Sequence, residues 1–126
     1  MDIRKIIKEE LTILTEVRKT GGDCYVANGR KFLDKYAFLK GYTIVHGEVA
    51  GQGNLKGISF GHCWIEDKNN VYDYSNKSEK TIPKVLYYAI GNIDYINNFF
   101  KYDLEQYQKN ILKYKNWGPW DLKTKY

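Results

Sequence analysis

Apolar residues recur with a helical period at the start of the chain. Ile3, Ile7, Leu11 and Leu14 share one face, while Arg4, Lys5, Lys8 and Glu9 fall on others. The pattern predicts an amphipathic helix over residues 1–18, stopped by Gly21 and Gly22. A second helix is expected to begin at once, with Asp23 as its N-cap, Phe32, Leu33, Tyr36 and Leu39 toward its far end, and Gly41 closing it. Beyond Gly41 the period shortens. Tyr42 to Val49 reads as a strand, and Ala50 to Gly57, with three glycines in eight residues, reads as a loop. Ile58, Phe60, His62 and Trp64 then alternate with Ser59, Gly61, Cys63 and Ile65, as the two faces of a strand do. Asp67 to Asn70 is turn chemistry, Val71 to Ser75 returns as a strand, Asn76 to Thr81 reads as a polar loop, and Val85 to Ile90 as a fourth strand. Asp103 is placed to cap a last helix carrying Leu104, Tyr107, Ile111 and Tyr114 on one side. The stretch Asn116 to Asp121 is too broken by glycine and proline for a helix and too aromatic for a free tail. The order α-α-β-β-β-β-α predicts an α+β fold, helices packed on an antiparallel sheet.

Composition narrows this further. The 126 residues make one domain, 1–126, and the 43% hydrophobic and 28% charged mixture excludes extensive disorder. Aromatic residues reach 16%, with 12 tyrosines. Twenty basic residues against 15 acidic ones give +5, which suits an anionic partner but is far from a nucleic-acid specialist. No DNA- or RNA-binding motif is present, so a nucleic-acid partner is not expected. No stretch approaches the roughly 18 apolar residues of a membrane helix. Charges interrupt the first ten residues, unlike the apolar core of a signal peptide. The expectation is a cytoplasmic protein with reduced thiols.

Two reduced cysteines each need an explanation. Cys24 falls in the first turn of a predicted helix, where orphan N–H groups and the positive end of the dipole favour an anion. A free thiol, with a pKa near ~8.5, needs such help to attack as thiolate. His62 and Asp73 lie on strands joined by a short turn. With the turn at Asp67 and Lys68 they face each other directly. With the turn at Lys68 and Asn69, Trp64 faces Asp73 and His62 is its diagonal neighbour. Both registers put His62 and Asp73 on one face, and a one-residue slip would part them. A carboxylate holding an imidazole whose other nitrogen meets a thiol is the nucleophile–base–orienter arrangement of a triad. His46, near Glu48, ranks second as the base. Cys63 points to the face opposite His62 and is expected to be a packed thiol. No spacing matches a common zinc pattern, and no metal or other cofactor is implied.

The segments Gly22 to Ala27, Gly61 to Glu66 and Val71 to Ser75 together resemble the transglutaminase-like branch of the papain-like cysteine enzymes. Small phage and bacterial proteins also look similar. The resemblance covers roughly residues 21–76 and implies a papain/transglutaminase-like core over about 21–91, with N- and C-terminal helices packed on it. It implies Cys24 as nucleophile, His62 as base and then acid, and Asp73 as orienter. Asp23, Tyr25, Gln52 and Trp64 are secondary candidates for substrate contact. The implied activity is that of a thiol-dependent hydrolase or acyl transferase acting on an amide-type bond of a peptide or small molecule through a thioester. Water and an amine both remain open as acceptor. The alternative of another class is a non-catalytic binder that sequesters an anionic or nucleotide-like ligand in the same cleft, using the basic charge and aromatic surface.

Overall fold

The computed structural model describes residues 23–124; the helix expected over 1–18 and its stop at Gly21 and Gly22 lie outside them. Helix α1 (Cys24–Lys31) runs on into a π-helical turn, Phe32–Tyr36, before the chain reverses near Gly41. Strands β1 (Thr43–Ala50), β2 (Ser59–Glu66), β3 (Asn70–Asp73) and β4 (Lys80–Pro83) follow as an antiparallel meander. Helix α2 (Lys84–Ile90) and strand β5 (Phe99–Tyr102) come next, and helix α3 (Leu104–Tyr114) closes the regular structure. Strand β5 returns to the free edge of β1, giving the order β4-β3-β2-β1-β5. The architecture is α+β, helices on a five-stranded antiparallel sheet.

Two corrections follow. Val85 to Ile90 is a helix, not a strand. Its tyrosines Tyr87 and Tyr88 turn toward the sheet, while Val85, Leu86 and Ile90 stay exposed, so apolar residues surround the helix and no period marks its inner face. The sheet also gains two four-residue strands that the polar and aromatic runs around them conceal: β4, which takes up the end of the loop expected over Asn76 to Thr81, and β5, which carries the sheet past residue 91.

Both faces of the sheet are covered, and its alternation divides the core in two. Ile44, Cys63, Ile65 and Tyr102 face α1 and α3, joining Phe32, Leu33, Tyr107, Ile111 and Trp117. Val45, Trp64 and Val71 face α2, joining Ile93, Tyr87, Tyr88 and Phe99. Gly29 is required where α1 meets α3, since a Cβ there would collide with the Tyr107 hydroxyl and the Trp117 ring. Trp117 is buried, so the broken aromatic stretch is packed structure. Asp103 caps α3 through a reciprocal box: its carboxylate accepts from the Gln106 N–H at 2.8 Å, and the Gln106 side chain accepts from the Asp103 N–H at 3.0 Å.

Candidate active site

Strands β2 and β3 pair at Ile65–Tyr72 and Glu66–Val71. Continued outward, that register sets Trp64 opposite Asp73 and His62 on its diagonal, the second of the two arrangements allowed by the turn. Asp67 fixes the turn by accepting from the N–H groups of Asn69 and Asn70 at 2.9 and 2.8 Å. His62 Nε2 then lies 2.9 Å from Asp73 Oδ2. The remaining ring nitrogen, Nδ1, is left for the Cys24 thiol, which lies close enough to help raise the His62 pKa.

Cys24 reaches a histidine on the far face of the strand because α1 does not lie flat on the sheet. It sits in the fork where β2 and β3 part, against β2 on one side and the turn Ser75–Lys77 on the other. Asn28, one helical turn after Cys24, is fully buried in that fork. Its Nδ2 donates to the carbonyls of Cys63 and Cys24 at 2.9 and 3.0 Å and to Asp73 Oδ1 at 3.1 Å. Its Oδ1 accepts from the Tyr74 N–H at 2.9 Å.

Asp73 is saturated with donors. Beyond Asn28, Oδ1 accepts from the Ser75 N–H and hydroxyl at 3.0 and 2.7 Å, and Tyr87 approaches Oδ2 at 3.4 Å. Burial disfavours the Asp73 carboxylate, but His62 and Ser75 outweigh it and hold its pKa well below the usual carboxylate range. For His62, burial likewise opposes the charged ring. The hydrogen bonds to Asp73 and Cys24 and their charges prevail and raise it from 6.5 to about 10. The resting imidazole is therefore protonated at neutral pH. Tyr87 is pushed up by burial and by the Asp73 charge, so it remains a neutral donor.

The other candidates separate from this cluster. Cys63 is fully buried on the α1 face, and burial, followed by the charges of Cys24 and Asp73, pushes its thiol up and keeps it protonated. Both thiols are free. His46 faces the side of Cys63, enclosed by the rings of Tyr25, Tyr102 and Trp120, each 5.1 Å away between centroids. Its nitrogens have no hydrogen-bond partner among the described residues, and burial lowers it to about 3, so it stays neutral and away from the triad.

Asp23 occupies the N-cap position of α1, as expected, but its side chain makes no capping bond. Its carboxylate accepts from the Asn76 N–H at 2.9 Å and ties the loop after β3 to the helix start. Trp64 is fully buried against Tyr87, Tyr88 and Phe99 and supports His62, whose ring stacks at 6.3 Å. Tyr25 is half-buried against His46, and its hydroxyl would lie 2.7 Å from a Cβ at Gly61, which helps explain the glycine before His62. Gln52 is held at the α2 terminus, donating to the Ile90 carbonyl at 3.0 Å. Asn28 and Ser75 were not singled out from the sequence. A carboxamide one helical turn after Cys24 is the available signal for the first.

Among the described residues no group of three or more His, Cys, Asp or Glu side chains gathers as a metal site would require. No helix among them is long and apolar enough to cross a membrane. No protein-family model, curated protein or solved structure matches the chain.

Proposed function

We propose that this chain is a thiol-dependent hydrolase or acyl transferase acting on an amide-type bond, with Cys24 as nucleophile. The observation that carries the reading is the 2.9 Å bond between Asp73 Oδ2 and His62 Nε2, which leaves the other ring nitrogen available to a thiol close enough to affect its titration. The protonated His62 pairs with the thiolate, whose sulfur attacks the carbonyl carbon. The C–N bond then breaks as His62 gives its proton to the leaving nitrogen, leaving a thioester on Cys24. Neutral His62 next takes a proton from water or an acceptor amine, which attacks the thioester; the C–S bond breaks and the thiolate returns. The first helical bond of α1 runs from the Ala27 N–H to the Asp23 carbonyl, so the N–H groups of Cys24, Tyr25 and Val26 precede the ladder. With the Asp23 side chain turned to Asn76, they are the donors best placed for an oxyanion.

Cysteine at a helix start, histidine on a strand and aspartate ending the next favour a papain/transglutaminase-like reading of the fold. The mechanism needs a reduced thiol, which a cytoplasmic location maintains. The test is the pH dependence of alkylation at Cys24 and Cys63, resolved by peptide mass spectrometry, in the wild type and His62→Ala. The expected result is rapid modification of Cys24 well below pH 8, lost in His62→Ala, with Cys63 inert. A slow, unperturbed Cys24 profile overturns the proposal and favours the ligand binder.

A further inference from the structure

Asn28 stands where a strand-to-strand hydrogen bond is missing. In the β2–β3 register Cys63 falls opposite Tyr74, one pair beyond Asp73, but the strands have parted there. The Asn28 carboxamide fills the gap, donating to the Cys63 carbonyl and accepting from the Tyr74 N–H, both at 2.9 Å. A side-chain amide has the donor and acceptor of a peptide unit, so it completes the ladder across the fork. Its Nδ2 also meets Asp73 Oδ1 at 3.1 Å. The other donors to Oδ1 come from Ser75, two residues along, and move with Asp73. Asn28 belongs to the helix that carries Cys24.

We propose that Asn28 is a positioning residue of the triad: one carboxamide fixes the Asp73 carboxylate relative to the helix bearing Cys24, so that His62 is held between them. The inference rests on the proposed thiol chemistry and adds what sets its geometry. Pre-organisation of this kind matters because a small misplacement of a reacting group costs rate steeply. Without Asn28, the carboxylate keeps its Ser75 bonds but loses its reference to α1, and the imidazole loses alignment with the thiol.

The experiment is a double-mutant cycle on Cys24 alkylation in the full chain, using Asn28→Ala, Asp73→Ala and the pair, read as rate against pH. Asn28→Ala is expected to slow alkylation at pH 6 by about tenfold, a loss of about 1.4 kcal/mol, and to move the profile toward higher pH. In the Asp73→Ala background it should change the rate less than about twofold, because it acts through Asp73. An unchanged profile in Asn28→Ala, or losses that simply multiply, overturns the proposal. Absence of a low-pH phase in the wild type is a different outcome, which defeats the thiol chemistry itself. A readout that needs neither that phase nor a folded Asn28→Ala is NMR of the Asn28 side-chain amide protons. They should shift and exchange faster in Asp73→Ala, and unchanged resonances overturn the proposal.

Discussion

Replacing Asp73 by Asn preserves its shape while removing the charge that His62 leans on, and its consequence can be worked from the geometry. Burial alone would lower the His62 pKa, yet the ring sits at about 10 against an ordinary 6.5 because of Asp73 and Cys24. That displacement corresponds to on the order of 5 kcal/mol. The partners supply more than that between them, because burial works against them, and removing the Asp73 charge should cost about 3 kcal/mol, the lower end for breaking a buried pair. The His62 midpoint in Asp73→Asn should therefore fall by about two pH units, followed by NMR of the ring. Stability carries the same signature. A raised His62 stabilises the fold fully below about pH 6.5, and that contribution is lost as pH climbs through about 10. A depressed Asp73 contributes fully above its ordinary 3.8, and its share is lost as pH falls through its lower folded value. The stability gap between wild type and Asp73→Asn, measured by urea unfolding, should be widest from about pH 4 to about pH 8, where the lowered His62 midpoint of the variant falls, and close between about pH 8 and 10. Identical His62 titrations in the two proteins, or a gap that widens above pH 6.5, would refute the reasoning.

Two further outcomes test the frame around the site. Glu66 is almost fully buried on the α2 face, yet it binds Lys84 and Lys101 at 2.6 and 3.0 Å and accepts from the Trp64 indole N–H and the Tyr88 hydroxyl. Glu66→Gln leaves two ammonium groups facing each other; because the lysine side chains are 27% and 42% exposed and can be hydrated, the loss should be about 2 kcal/mol rather than the full buried-pair cost. Denaturant unfolding at neutral pH measures it, and because burial is outweighed by these partners to depress the carboxylate, the difference should shrink in acid. Asp103→Ala removes the side-chain half of the α3 capping box and should cost about 1 kcal/mol, a few degrees in thermal midpoint, with little effect on Cys24 alkylation.

These contrasts explain which parts of the molecule can be read along the chain. The pairing of His62 with Asp73 follows from two local facts, a short turn and the two-residue period of strands, so it survives uncertainty about register. The α3 start is equally local, since Asp103 and Gln106 satisfy each other within one turn. Helix α2 defies such reading because its solvent side carries Val85, Leu86 and Ile90, which erase the amphipathic period. Strands β4 and β5 are too short to show alternation, and each acquires its identity from a neighbour already in place: β3 for Lys80–Pro83 and β1 for Phe99–Tyr102.

Asn28 illustrates the same boundary at the site. Its bonds run to Cys63, Asp73 and Tyr74, between 35 and 46 residues away, and no local pattern encodes a fork between two strands. What the sequence does hold is a cost without a visible compensation: a carboxamide on the buried face of a helix, four residues after the cysteine. A buried carboxamide left without partners would cost roughly 1–3 kcal/mol. Such a residue therefore implies partners elsewhere in the fold, and here they are the two strands that carry the histidine and the aspartate.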